Sequence, residues 1–90
     1  MIGNIKMRDI QLLFFAQVGE KLGCRQHRIK IAESTITINE LVEQLIRSDS
    51  KWSLLTDPVI KVAVNHNIVD RSHVLTDAVE IAFFPPVTGG

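Results

Sequence analysis

Thr37-Ile38-Asn39-Glu40-Leu41-Val42-Glu43-Gln44-Leu45-Ile46 is the stretch on which the fold turns. Thr37 and Glu40 have the spacing of a capping box, and Ile36 and Leu41 bracket them as a hydrophobic staple. Ile38, Leu41, Val42, Leu45 and Ile46 then follow the i, i+3, i+4, i+7, i+8 stripe of an amphipathic helix, which Ser48-Asp49-Ser50 ends. One such stripe covers one face of a sheet and leaves the other face open. The expected class is therefore an α+β layer.

The flanking segments read as strands. Asp9 to Gln17 alternates, with Ile10, Leu12, Phe14 and Ala16 on one face and Gln11, Leu13, Phe15 and Gln17 on the other. Val18 to Leu22 makes one helical turn, stopped by Gly23. His27 to Ala32 alternates again, with Ile29 and Ile31 inward, and pairs with the first strand across a connection too long for a two-residue hairpin. After the helix, Trp52, Leu54 and Leu55 cover the core from a connecting turn, and Asp57-Pro58 breaks the chain. Val59 to Asn65 turns Ile60, Val62 and Val64 inward and Lys61, Ala63 and Asn65 outward. His66-Asn67 is a turn, Ile68-Val69 a short edge segment, and Val79, Ile81 and Phe83 face inward on the last strand. The first and last strands carry the central apolar runs, as adjacent parallel strands in mid-sheet do. A mixed sheet of about five strands packed on one main helix in this order is the arrangement of a β-grasp, or ubiquitin-like, roll.

Ninety residues with 46% apolar content form one domain, spanning 9–84 between an N-terminal extension (1–8) and a C-terminal tail (85–90). Ten Lys and Arg balance ten Asp and Glu. Such a chain has no electrostatic footprint for nucleic acid or an anionic membrane. Its longest apolar run, Leu12 to Ala16, is too short to cross a bilayer. The start lacks the apolar region of a secretory signal. The single cysteine, Cys24, excludes an internal disulfide framework and agrees with a reducing cytoplasm. His27, His66 and His73 lack metal-ligand spacing, so no metal is expected.

Away from the helix, parity collects Leu13, Phe15, Ala63, Ala82 and Phe84 on the open face, with Ile68 at the rim. Two phenylalanines beside small residues on a solvent face mark a protein interface. Arg25 and Arg28 are available to acidic groups on a partner, although exposed charges are usually just solvated.

Phe84-Pro85-Pro86-Val87-Thr88-Gly89-Gly90 carries the chemistry. The two prolines donate no backbone hydrogen bond and fix φ, so the sheet ends there and the chain leaves stiffly. The tail reaches roughly 20 Å when extended. Gly89 and Gly90 have no side chains and can thread a narrow channel. A carboxylate there is a poor electrophile until activated, most simply by adenylation with ATP. The mixed anhydride then accepts an amine, a thiol or a sulfide equivalent. No Ser-His-Asp set or P-loop is visible, so Gly90 is a substrate of that adenylation and ATP is bound by a partner. The chain alone binds no cofactor and is not catalytic alone.

Leu13 to Val18, Val62 to Asn65, Leu75-Thr76-Asp77 and Ile81 to Gly90 together resemble the small, sulfur-carrier subunit of molybdopterin synthase, in order over residues 9–90. The resemblance implies that an E1-like adenylyltransferase activates Gly90 and that a sulfur donor converts it to a thiocarboxylate. The tail would then enter the large synthase subunit and give sulfur to cyclic pyranopterin monophosphate, in a heterotetramer of two large and two small subunits. It assigns Gly89 and Gly90 to the tail and Phe15, Ile68 and Phe84, with Ala82 beside them, to partner docking. Asp77-Ala78-Val79-Glu80 departs from the family's usual Asp-Gly-Asp-Glu, and residues 1–8 are extra. The competing readings are another β-grasp sulfur carrier, for thiamin or tRNA thiolation, a ubiquitin-like modifier, and an interaction module with an inert tail. The Phe-Phe-Pro-Pro run argues against the first.

Overall fold

The computed structural model describes residues 7–32, 35–76 and 80–86. Strands β1 (Arg8–Phe14), β2 (Gln26–Ile31), β4 (Lys61–Val64), β5 (Asn67–Val69) and β7 (Glu80–Phe84) form a mixed sheet in the order β2-β1-β7-β4-β5. β1 and β7 are central and parallel, and the other neighbours are antiparallel. Helix α1 (Gln17–Leu22) follows β1, and α2 (Ile38–Ser48) is the long helix. Two further strands, β3 (Ile36–Thr37) and β6 (Val74–Leu75), pair in a separate small sheet that the alternation pattern did not show. The α+β β-grasp expectation and the central parallel pair are both borne out.

The capping box forms as its residues require: the Glu40 N–H donates to Thr37 Oγ1 at 3.1 Å and the Thr37 N–H donates to Glu40 Oε1 at 2.9 Å. Ile38, Leu41, Val42 and Leu45 are buried, and Ile46 packs partly against them. The helix stripe meets Ile10, Leu12, Phe14, Val62, Ile81 and Phe83 from the sheet. Phe14 ties two layers together, its ring 5.4 Å from Trp52 and 5.8 Å from Phe83. Truncating a buried aromatic of this kind costs about 3–5 kcal/mol. Trp52 and Leu55 lie on a 3₁₀ turn, Ser50–Thr56, which Asp49 caps by accepting from the Lys51 N–H at 3.0 Å. Asp57 similarly accepts from the Val59 N–H at 3.0 Å. Both aspartates act as a cap and a turn, as their positions suggested.

Several boundaries differ from the alternation pattern, among them that of β4, which covers Lys61–Val64 in place of 59–65 because a turn precedes it and the hairpin turn begins at Asn65. β1 stops at Phe14 and not at Gln17, because Ala16, at φ 51°, turns the chain and α1 starts at Gln17. β2 covers Gln26–Ile31 in place of 27–32. The β4–β5 turn is Asn65-His66, one residue earlier than expected, with φ 47° and 75°; two left-handed residues suit the twist of a tight hairpin. Asn67 is already in β5 and makes its own bond back, Nδ2 donating to Asn65 O at 3.3 Å. Arg8, placed in the N-terminal extension by the sequence, belongs to β1, and its guanidinium donates to Leu75 O at 3.0 Å and to Thr76 O. Gly23 does stop α1, in the left-handed conformation at φ 80°. Val79 lies outside the described residues.

Candidate functional site: an open docking face at the root of the tail

The face of the sheet turned away from α2 is assembled by register. Leu13 pairs with Ala82, Ala82 with Ala63 and Ala63 with Ile68. These four side chains therefore form one row across four strands, β1 to β5. Leu13 and Ala82 are half-buried, Ala63 is 9% exposed and Ile68 is 74% exposed. Ala63 points to the open face, as parity required, yet its neighbours shield its small methyl. Phe15 and Phe84 flank the row at one end. Phe15 is 50% exposed and Phe84 half-buried. A hollow of 460 Å³ lies over Ala63 and Ala82, walled by Leu13, Phe15 and Phe84, with His66 and Glu80 at its far end. A second hollow, 670 Å³, opens beyond Phe15 towards α1 and Arg25, so Phe15 stands as a ridge between the two.

Two devices hold this surface. At one end the Phe15 N–H donates to Phe83 O at 3.0 Å, continuing the parallel ladder one residue past β1. Gly19 then lets α1 close on that corner, since a Cβ there would lie 2.7 Å from Phe14 O and 3.2 Å from Cys24 O. At the other end the hairpin turn is fastened to β7. The Asn65 N–H donates to Glu80 O at 2.9 Å, the Glu80 N–H donates to Asn65 Oδ1 at 3.1 Å, and His66 Nε2 lies 3.1 Å from Glu80 Oε2. The sequence reading missed His66 and Glu80 as part of this site. Their contact depends on the turn's position, which carries no clear signal where Asn, His and Asn stand in succession.

The structure thus brings Phe15, Ile68, Ala82 and Phe84, the residues expected to dock a partner, onto one face. Pro85 and Pro86 follow Phe84 directly, outside any strand. Because β7 runs parallel to β1, it leaves the sheet at the edge where Phe15 stands. Gly89 and Gly90 lie outside the described residues. Cys24 is partly buried, and among the described residues no group of three or more His, Cys, Asp or Glu is placed to hold a metal ion. No helix among them is long and apolar enough to cross a membrane.

A mixed sheet covered on one face by α2 and open on the other defines the class as a β-grasp roll. The chain is 42% identical over 82 residues, 90% of its length and 99% of the relative's, to the molybdopterin synthase sulfur carrier subunit of Escherichia coli (strain K12). The ThiS family model matches residues 12–90. The chain belongs to the ThiS family. Among solved structures it is similar in fold to SAMP1 from Haloferax volcanii, with a TM-score of 0.70 at 22% identity, covering 91% of this chain and 99% of that one. It is also similar in fold to a chain in the complex of subunits 1 and 2 of molybdopterin-converting factor from Helicobacter pylori 26695, with a TM-score of 0.56 at 22% identity, covering 91% and 99%.

Proposed function

We propose that this chain carries sulfur for molybdopterin synthesis as a thiocarboxylate on Gly90. An E1-like enzyme binds ATP, the Gly90 carboxylate attacks the α-phosphorus, and pyrophosphate leaves. A sulfide equivalent from a sulfur donor then attacks the acyl-adenylate carbonyl and displaces AMP. The tail, with Gly89 and Gly90 free of side chains, enters the large synthase subunit. There, in a heterotetramer of two large and two small subunits, it passes its sulfur to cyclic pyranopterin monophosphate. The chain binds no cofactor itself, and the reading places it in the cytoplasm, where Cys24 stays reduced.

The observation that carries this reading is the parallel pairing of β1 with β7. It sets the two phenylalanines and the start of the tail at one edge, so a protein that covers the face also receives the tail. Support comes from the E. coli relative, whose name states both the synthase and the carrier role, and from a family match that runs through residue 90. The H. pylori complex, of subunits 1 and 2 of molybdopterin-converting factor, supports a second subunit as the occupant of the face.

The test is the intact mass after incubation with a molybdopterin-synthase activating enzyme, ATP and sulfide. One oxygen-to-sulfur exchange localised to Gly90 is expected. Removal of Gly90 should abolish the exchange while large-subunit docking survives. No exchange with a demonstrably active enzyme, or full sulfur transfer without Gly90, would refute the mechanism.

A further inference from the structure

The open face carries charge as well as apolar surface, and the register sorts it. Asp9 on β1, Arg28 and Lys30 on β2, Glu80 on β7 and Lys61 on β4 all share the parity of Leu13, Ala82 and Ala63. Both carboxylates are already engaged: Asp9 lies 3.5 Å from Lys30 Nζ and Glu80 3.1 Å from His66 Nε2. Arg28 and Lys61 are exposed, and among the described residues neither has an ion-pair or hydrogen-bond partner for its side chain. In a chain with no net charge, the face left for docking keeps two unanswered cations.

Their positions are informative. Lys61 stands directly across from Phe84 at the root of the tail, and Arg28 lies opposite Gln11 beyond the Leu13 end of the apolar row. Three strand spacings and about four residues of strand length separate them, roughly 20 Å corner to corner. A solvated surface cation contributes little by itself. A cation at the rim of an apolar contact is different, because docking strips its water and any partner is selected by the charge it presents there.

We infer that Arg28 and Lys61 form an electrostatic rim to the docking face, and that its occupant is a protein surface offering an apolar centre flanked by carboxylates at both corners. Continuity with the Phe15–Phe84 patch makes that occupant the protein that receives the tail, so the inference rests on the proposed function and adds how the partner is chosen. The rim speeds encounter, fixes the orientation in which the tail meets its channel, and rejects a basic surface of the same shape.

The experiment measures affinity and association rate between the full chain and the large molybdopterin-synthase subunit of the same organism, between low and high salt. Wild type should lose roughly tenfold in association rate as salt rises, and Lys61→Glu and Arg28→Glu should each lose about tenfold at low salt with a flatter salt slope. Arg47→Glu, at the C-terminal end of α2, is the control and should behave as wild type, and unchanged melting curves would show that each variant folds. Lys61→Met, which keeps the aliphatic stem, should show the same flattened slope with a smaller loss. Wild-type docking with unaltered affinity and salt slope in both reversals would overturn the rim while leaving the proposed function standing. No docking by wild type would overturn both.

Discussion

Phe15 donates its backbone N–H to the carbonyl of Phe83, 3.0 Å away, and so joins the end of the first strand to the end of the last. This bond places Phe15 beside Phe84 at the point where the chain leaves the sheet. A side chain contributed by residue 15 and one contributed by residue 84 thereby lie on one face, and the docking role proposed for them can be tested separately from the core.

Phe84→Asp should weaken docking to the large subunit by at least about thirtyfold, or ~2 kcal/mol, since it puts a charge into a contact that excludes water. Phe84 is only half-buried in the free chain, so the melting temperature should move little. Calorimetric titration against the large subunit reads the first quantity and a thermal melt the second. An unchanged affinity would remove Phe84 from the docking surface.

The corner between β1 and α1 contains two residues whose substitutions should act in opposite directions. Gly19→Ala forces a methyl against Phe14 O and Cys24 O and should destabilise by about 1–3 kcal/mol. Ala16→Gly relieves a residue held at φ 51°, ψ −128° and should stabilise by up to about 1 kcal/mol. Urea unfolding of the two variants gives both signs in one comparison.

Arg71 is a structural keystone among the loops. Its guanidinium donates to Ile60 O at 2.9 Å, to Asp57 O at 3.1 Å and to Leu55 O. Partial burial draws its pKa below the ordinary arginine value, with the Asp57 charge opposing that, and it remains a cation at neutral pH. Arg71→Lys should cost about 1–3 kcal/mol, because an ammonium cannot reach three carbonyls set apart as a planar fork requires. Chemical denaturation measures this, and a neutral result would mean that water satisfies those carbonyls equally well.

Asp70 titrates below the usual carboxylate range, chiefly because the Ser72 hydroxyl donates to it at 2.5 Å and then because the Ser72 N–H does so at 3.0 Å. A carboxylate with a depressed folded-state pKa stabilises the fold at pH values above its unfolded titration, and that contribution disappears as pH falls through the folded value. Ser72→Ala removes the largest cause, so the Asp70 titration should move upward towards the ordinary range. Carboxyl-carbon NMR across the acid range follows it directly.

The parts of the molecule readable from sequence are those in which a pattern repeats. Five apolar positions on α2, announced by Thr37 and Glu40, and the alternation of β1, β4 and β7 are long enough to fix both period and face. Parity alone therefore put Phe15, Ala82 and Phe84 together, because a strand residue has only two sides to choose from. β3 and β6 escaped because two residues cannot display a period. The end of β1 was misplaced because Ala16 adopts a backbone conformation that alanine seldom takes, and no local residue announces it. Arg71 escaped for another reason. Its partners are main-chain carbonyls, and every residue has one.

The central pairing of β1 with β7 also sets a schedule for biosynthesis. Arg8, at the start of β1, and Thr76, ahead of β7, are in contact although 68 positions apart in the chain. The two middle strands can meet only after the residues through Phe84 have been made, and pairings this remote form slowly. A ribosome that stops before β7 releases a chain with β1 exposed along the edge where β7 should lie, and with Ala82 missing from the row that runs from Leu13 to Ile68. Synthesis of β7 is therefore the step that completes the open apolar face as well as the core beneath it.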